Sequence, residues 1–264
     1  MPELGEVEFM CRKARATIGR ALVEVRPGPH GNPAAALLGG QRLVDVGRRG
    51  KALIFAFEEE VVIWQPRMTG RVVFAGAAQR ETDVTATWRF DGEHVWRFED
   101  RRRLGRWTVV ERAALPAHLH ALGWGPECWP GRSASWWQKT LQSSRRSIKE
   151  TLLDPRWVVG IGNMVATELL WRACVSPWER PAGLSPHDWE RVARATDQVV
   201  DEIIAELETL DCLTLVHVHG SPLPQAMSVY GRPHAPCPRC SHPLASAPQG
   251  GRTTVYCVRC QNVR

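Results

Sequence analysis

Four cysteines near the carboxyl end constrain this chain most. Cys237 pairs with Cys240 and Cys257 with Cys260 in two Cys-x2-Cys motifs that sixteen residues separate. This spacing is typical of a two-knuckle zinc site, and four thiolates form a closed shell with no open position for catalysis. We therefore predict one structural zinc ion, which supplies folding energy to a short segment. The alternative is two redox-active pairs, but they lack a thioredoxin-like context.

The composition narrows the class of partner. The chain has 264 residues, 44% of them hydrophobic, which suffices for one large or two modest domains. A net charge of +6 favours a polyanionic partner, nucleic acid first, although a merely basic soluble protein stays open. No signal peptide and no apolar run of about 18 residues is found, so we expect a cytoplasmic protein without a membrane partner. The other cysteines are expected to be small core residues: Cys11, Cys128, Cys174 and Cys212.

The predicted secondary structure changes from strands to helices about midway along the chain. A helix is predicted over 9–19, and short apolar or alternating runs then predict strands at 21–25, 43–46, 52–57, 61–63, 72–75, 84–90, 94–98 and 107–110. Helical spacing follows at 135–154 and 164–174, and Ser185 with Pro186 predicts the start of a helix that runs to about 207.

These patterns predict an α+β chain of three folded parts. They are an N-terminal β-sandwich over 1–116, a helical domain over 135–228 after a linker over 117–134, and a C-terminal four-Cys zinc finger over 229–264.

The amino terminus carries chemistry of its own. If Met1 is removed, Pro2 becomes a secondary amine whose pKa of about 8 leaves a neutral, nucleophilic fraction at physiological pH. Glu3 and Glu6 could serve as acid and base beside it. The alternative is an ordinary acidic helix start, which suits the helix dipole.

Three motifs together resemble the formamidopyrimidine-DNA glycosylase and endonuclease VIII family. They are the opening Pro2-Glu3-Leu4-Gly5-Glu6-Val7-Glu8, the turn Gly160-Ile161-Gly162-Asn163 and the four cysteines. The resemblance runs nearly end to end and implies a β-sandwich, a helix–two-turn–helix domain and a zinc finger, with DNA in a cleft between the halves. It also implies excision of a damaged base followed by β,δ-elimination at the abasic site.

The resemblance also implies roles for individual residues. Pro2 matches the nucleophile, Glu3 the acid/base and Glu6 a second active-site carboxylate, while Lys51 matches a lysine that contacts phosphate near the lesion. The side chains that match those filling the gap left by a flipped base are Met68, Arg102 and Leu104. The remaining residues that match DNA contacts are Lys149, Asn163, Glu168 and Arg252.

Several positions depart from the family pattern. Gly5 stands where proline is usual, Pro66-Arg67 replaces the usual Leu-Gly, and Leu104 lacks the usual aromatic ring. The segment 217–227 is shorter than the loop that covers 8-oxoguanine in purine-specific members, so we expect a lesion other than mainly 8-oxoguanine.

We therefore predict a monomeric repair enzyme that acts on double-stranded DNA with a damaged or abasic nucleotide and associates with the nucleoid through DNA. The alternatives are a non-catalytic relative that binds damaged DNA, and a basic zinc-ribbon protein that acts on RNA or in transcription.

Overall fold

The structure is a computed structural model that describes residues 2–28, 38–74, 81–92, 94–210 and 227–262. It divides into two compact units. The first is built mainly from Met1–Gly123, and the second from Trp124–Glu206 with Leu223–Arg264. No helix within the described ranges is long and apolar enough to cross a membrane.

The first unit is a β-sandwich with one helix behind its amino terminus. Helix α1 spans Leu4–Arg15. The eight strands are β1 Leu22–Pro27, β2 Leu43–Arg49, β3 Ala52–Phe57, β4 Glu60–Gln65, β5 Gly70–Phe74, β6 Val84–Phe90, β7 Val95–Asp100 and β8 Arg106–Glu111. Each predicted strand is present, with bounds shifted by a residue or a few, which confirms the sandwich.

Two antiparallel four-stranded sheets form the sandwich. One has the order β1-β6-β7-β5 and the other the order β2-β3-β4-β8. In the first sheet Gly70 pairs with Asp100, so the loops that precede β5 and follow β7 lie side by side. This register matters because it brings together two segments that are distant in the sequence.

Aromatic rings fill the space between the sheets. Trp88 and Trp96 stack with centroids 5.9 Å apart, and Phe98 meets Trp88 edge-on at 4.8 Å. All three side chains are buried. Rings in such geometries add stability beyond the area they bury, so much of the tryptophan content of this unit serves packing.

Helix α1 begins earlier than the predicted 9–19. Glu3 is its N-cap, and the Glu6 carboxylate accepts the Glu3 backbone N–H at 2.7 Å, as an acidic residue at the third helical position can do. The helix ends at Arg15, and Gly19 follows with a φ of 90°. Polar capping therefore sets the start, which apolar periodicity alone does not mark.

Helices dominate the described residues that follow β8. They are α2 Leu115–Ala121, α3 Ala134–Leu141, α4 Ile148–Leu153, α5 Asn163–Arg172 and α6 Pro186–Leu210, with 3-10 turns at Arg112–Ala114 and Pro181–Gly183. The segment expected as a linker, 117–134, thus contains most of α2. The predicted helical stretch 135–154 is two helices, because Ser147 accepts the Glu150 N–H and caps α4 anew.

The predicted start of the long helix is confirmed. The Ser185 hydroxyl accepts the Asp188 N–H at 3.2 Å, and Asp188 accepts the Ser185 N–H at 2.8 Å. The second unit ends in an antiparallel hairpin of β9 Ala245–Gln249 and β10 Arg252–Tyr256. This hairpin lies between the two Cys-x2-Cys motifs.

Candidate active site and zinc site

The three amino-terminal candidates lie together at the start of α1. Pro2, Glu3 and Glu6 are all buried, and the Glu3–Glu6 hydrogen bond fixes the first turn. The short sequence spacing and the helix start bring these groups within one turn of each other. Burial also removes them from bulk water, which strengthens electrostatic interactions among them.

Glu6 has an unusual protonation equilibrium. Burial raises its pKa to about 8, although the hydrogen bond from the Glu3 amide and nearby positive charge oppose the rise. Its Oε2 accepts the Glu3 N–H, whereas its buried Oε1 has no partner among the described residues. A carboxyl group that is largely neutral near pH 7 can release or take up a proton there.

Lys51 acts on this cluster from the turn between β2 and β3. Its positive charge is one of the influences that lower the Glu6 pKa against burial. An ion pair between Arg48 on β2 and Glu8 on α1, 2.8 Å long and mostly buried, anchors this strand to the helix. The structure therefore brings Lys51 near the three amino-terminal residues.

Met68, Arg102 and Leu104 lie on the two loops that the β5–β7 pairing joins. Met68 is 39% exposed and Leu104 is 43% exposed, which is unusual for large apolar side chains. The Arg102 backbone N–H donates to Thr69 Oγ1 at 3.0 Å, so the loops are hydrogen-bonded to each other. Arg102 is itself exposed.

In the second unit, Asn163 and Arg252 lie beside the zinc-finger hairpin. Gly162 is the N-cap of α5, and Asn163 is the first helical residue. The Asn163 Nδ2 donates to the Thr253 carbonyl at 3.0 Å, next to Arg252, whose side chain is exposed. The turn with two glycines and the tip of the hairpin thus share one surface of this unit.

Lys149 and Glu168, which the resemblance matches to DNA contacts, are both completely buried in this structure. The Lys149 ammonium donates to Thr254 Oγ1 at 2.7 Å. The Glu168 carboxylate accepts backbone N–H groups in the segment that leads into the zinc finger, at 3.0 Å from Ser228, 2.7 Å from Val229 and 2.6 Å from Tyr230. Both side chains therefore contact the finger segment, and a direct contact of either one with DNA stays a prediction.

Glu168 also shows a shifted protonation equilibrium. Burial raises its pKa, while the three backbone donors work in the opposite direction. Donors that converge on one carboxylate satisfy amides that would otherwise be buried without partners.

The four predicted zinc ligands converge. The sulfur atoms of Cys237, Cys240, Cys257 and Cys260 all lie within 4.8 Å of one another. A tetrahedral zinc with bonds of about 2.3 Å holds its sulfurs about 3.8 Å apart, and Cys237 and Cys260 are 3.9 Å apart. The Trp171 indole donates to Cys237 Sγ at 3.4 Å, as suits a thiolate. The geometry and the donor set fit one structural zinc.

The cysteines outside this cluster differ among themselves. Cys11 and Cys128 are buried, as predicted, and Cys174 is half-buried. Cys212 lies outside the described residues.

Sequence reasoning misses the residues that position the site. Asp100 accepts the Gly105 N–H at 2.6 Å and also binds the Thr69 hydroxyl, so it organises both exposed loops. Arg239, inside the first cysteine knuckle, stacks on Trp171 with 4.7 Å to the ring centroid. The only sequence signal for Asp100 is an acid at the end of a strand, which is common in any turn.

Family models match most of the chain in the expected order. The formamidopyrimidine-DNA glycosylase N-terminal domain matches residues 1–107, the H2TH domain of the same enzyme matches 125–211, and a zinc finger found in FPG and IleRS matches 236–263.

Individual relatives of the same name are similar to this chain over nearly its whole length. A formamidopyrimidine-DNA glycosylase of Thermus thermophilus is 34% identical over 278 residues, which cover 99% of this chain and 98% of that protein. The enzyme of that name from Moorella thermoacetica is 35% identical over 257 residues, which cover 92% and 93%.

A solved structure shares the fold. It is a complex between the Lactococcus lactis Fpg and DNA that contains an abasic site, with a TM-score of 0.86 and 23% identity, and the match covers 99% of this chain and 100% of that one. The sandwich, the helical unit and the four-cysteine finger of this chain match that architecture. The chain therefore belongs to the formamidopyrimidine-DNA glycosylase family and is a DNA glycosylase of base-excision repair with one structural zinc site.

Proposed function

We propose that this chain excises a damaged base with the amine of Pro2 and then cleaves the DNA strand at the abasic site. The observation that carries the proposal is the burial of Pro2, Glu3 and Glu6 in one turn, with the charge of Lys51 acting on Glu6. Removal of Met1 is part of the proposal, since only then is the Pro2 nitrogen a secondary amine.

The first step joins the Pro2 nitrogen to C1′ of the sugar. The neutral amine attacks C1′, the bond from C1′ to the base breaks, and the base leaves with the electron pair and takes up a proton. The amine loses its proton, and opening of the sugar ring gives an iminium ion. The ring oxygen takes up a proton as its bond to C1′ breaks. Loss of a proton from C2′ then breaks the C3′–O bond and releases the 3′ phosphate, loss of a proton from C4′ breaks the C5′–O bond and releases the 5′ phosphate, and hydrolysis of the iminium frees Pro2.

Glu3 and Glu6 would divide the proton transfers. Glu3 adjoins the amine and is suited to protonate the leaving base or the ring oxygen. Glu6, with a pKa of about 8, keeps a proton at neutral pH and holds the Glu3 backbone through its Oε2. We assign Glu6 a proton-storing and positioning role, and Lys51 a phosphate contact near the lesion.

DNA would be held by groups on both units. Asn163 uses one of its two amide hydrogens on Thr253, which leaves the other for a phosphate beside the start of α5. Exposed Arg252 would bind a second phosphate. Met68 and Leu104 would fill the gap left by a flipped nucleotide, with Arg102 facing the orphaned base.

The substrate is double-stranded DNA with a damaged or abasic nucleotide. The Lactococcus lactis Fpg complex with abasic-site DNA supports this assignment. We further propose that the chain acts in the cytoplasm on nucleoid DNA and that 8-oxoguanine is not its main lesion. The segment that motivates the lesion proposal, 217–227, lies almost wholly outside the described residues.

Borohydride trapping on an abasic duplex tests the chemistry. Reduction should give a covalent protein–DNA adduct, and peptide mass spectrometry should locate it on a peptide that begins at Pro2. Pro2→Gly keeps only a primary amine, so its trapping rate should fall at least about tenfold. Glu24→Gln, a change at a carboxylate outside the site, is the matched control for Glu3→Gln, which should stop base excision.

Two outcomes would overturn the proposal. An adduct on a peptide that contains Lys51 would give the nucleophilic role to that lysine, and no adduct at all would favour a non-catalytic DNA-binding relative. Excision of 8-oxoguanine opposite cytosine as fast as by a standard family member would refute the lesion proposal alone.

A further inference from the structure

Arg67, beside Met68, has a backbone conformation that disfavours its own side chain. Its φ is 58°, in the left-handed region that glycine adopts readily and residues with a Cβ do not. The loop is fixed around it, because the Gly70 N–H donates to the Pro66 carbonyl at 3.0 Å and Pro66 is buried. An arginine thus stands at a position that glycine would occupy without strain.

Packing within the protein does not explain why position 67 carries an arginine. The Arg67 side chain is exposed, and no hydrogen bond or ion pair to it is found in the part of the chain that the structure describes. Residues that keep an unfavourable backbone conformation without an internal reason often serve a function. The neighbouring Met68 is one of the exposed apolar side chains proposed to enter the base stack.

The adjoining loop adds positive charge. Arg101, Arg102 and Arg103 are all exposed, and Arg103 is also left-handed with a φ of 53°. The acid between these loops, Asp100, is buried and bound to Thr69 and Gly105, so it offers little to an outside cation. The exposed charge of this pair of loops is therefore cationic, which favours a polyanion.

We propose that Arg67 is an additional DNA contact, whose guanidinium binds a backbone phosphate beside the gap that Met68 fills. The inference rests on the proposed function, since it takes Met68 to enter the DNA. A planar guanidinium presents paired N–H donors that match phosphate oxygens, and it stays charged at every working pH. The backbone strain is the cost of holding this cation next to the wedge.

The test measures binding of the full zinc-containing protein to a duplex with a tetrahydrofuran abasic analogue, across a range of KCl concentrations. Arg67→Gly should weaken binding by about fivefold and lower the slope of log affinity against log salt by about one, as loss of a phosphate contact does. Arg67→Lys should keep that slope. Arg112→Gln, at the far end of β8, removes an exposed arginine outside these loops and should change neither quantity.

Stability is the second measurement. Arg67→Gly should unfold at the same temperature as the wild type or a few degrees higher, because glycine relieves the left-handed strain. This outcome would separate loss of a contact from loss of fold.

Three results would overturn the inference. The first is an unchanged affinity and salt slope in Arg67→Gly. The second is a loss of affinity in Arg67→Gly that appears only when one particular base stands opposite the abasic analogue. The third is a salt slope in Arg67→Lys as low as that in Arg67→Gly. Trapping on the wild type is read separately. Wild-type protein that binds the analogue duplex but forms no borohydride adduct on a duplex with a true abasic site would refute the amine chemistry and leave the Arg67 measurement standing.

Discussion

The sandwich and the finger segment of the second unit differ in what holds them together. The sandwich buries aromatic rings, with Trp88, Trp96 and Phe98 in mutual contact between its sheets. The finger segment of the second unit has only a small apolar cluster, which includes Val229, Leu244 and Val255. Instead, buried polar and charged side chains fasten it, among them Lys149, Glu168, Gln249 and Gln261.

The residues that stabilise the fold are therefore of a different kind in the sandwich and in the finger segment. In the sandwich the aromatic core supplies the packing, and the exposed loop residues Met68 and Leu104 are not part of it. In the finger segment the metal site and buried polar groups supplement a small apolar cluster, so a charged residue in a motif there is as apt to be structural as functional.

Zinc removal should have the largest effect. A chelator, or Cys240→Ala, should unfold residues 229–262, because the small apolar cluster cannot hold them without the metal. The aromatic circular dichroism of the sandwich should persist, since its core contains no zinc ligand. Binding to an abasic-analogue duplex should weaken as Arg252 loses its fixed place.

Cys128→Ala is the matched control for the zinc prediction. Cys128 is buried, its Sγ donates to the Val159 carbonyl at 3.1 Å, and it lies outside the four ligands. This variant should keep one zinc per chain by metal analysis. A sandwich that lost its aromatic signal together with the metal would contradict the contrast between the units.

Glu168→Ala should weaken the attachment of the finger segment without removing the metal ligands. It leaves the backbone amides of Ser228, Val229 and Tyr230 without their acceptor inside the protein. We expect a loss of about 3 kcal/mol in the free energy of unfolding, measured by denaturant titration. Glu168→Gln keeps one acceptor oxygen and should lose about half as much.

A direct DNA role for Glu168 predicts the opposite pattern. In that case Glu168→Ala would unfold at the same denaturant concentration as the wild type while it lost affinity for DNA. The complete burial of the side chain argues against this outcome.

The sequence predicts those features of the structure that depend on local pattern and misses those that depend on contacts across the chain. Cysteine spacing and strand alternation predict the zinc site and the sandwich, because each depends on local pattern. The start of α1 and the break at Ser147 depend on capping hydrogen bonds, which short polar residues do not reveal unambiguously. The burial of Lys149 and Glu168 depends on contacts across the chain, such as that between Lys149 and Thr254, and no local pattern encodes it.

Glu6 should make the stability of the sandwich depend on pH. Burial raises its folded pKa from 4.5 to about 8, so between these values the folded state holds a proton that the unfolded state has lost. Its contribution to stability is therefore complete below pH 4.5, declines as the pH rises and is lost above about 8. The slope should reach about 1.4 kcal/mol per pH unit.

Glu6→Gln should remove this dependence. The amide stays neutral at every pH, so the variant should gain stability relative to the wild type as the pH rises from 5 to 8, in denaturant titrations at each pH. Glu8→Gln is not a suitable control because Glu8 is mostly buried and paired with Arg12 and Arg48. Glu24→Gln serves better because the pairs of Glu24 with Arg26 and Arg89 are exposed, and exposed pairs contribute little. Parallel pH profiles for wild type and Glu6→Gln would show that Glu6 is charged in the folded state.

The smallest effect concerns an arginine in each cysteine knuckle. Arg239 in the first knuckle donates to the Trp171 carbonyl at 3.1 Å and to the Arg172 carbonyl at 3.3 Å, at the end of α5, and it stacks on the Trp171 ring. Arg259 holds the same position in the second knuckle, and its side chain has no such partner among the described residues. The two positions thus form a matched pair.

Arg239→Met should lower the free energy of unfolding by about 1 kcal/mol, because it removes a cation–π contact and two donors to carbonyls at a helix carboxyl terminus. Arg259→Met should change it by less than about 0.5 kcal/mol, as exposed substitutions usually do. Denaturant titration of the zinc-bound protein, followed by tryptophan fluorescence, compares them. Equal losses would mean that knuckle charge, and not the docking of Arg239 on α5, stabilises the finger, and the polar-support account of the second unit would then rest on Lys149 and Glu168 alone.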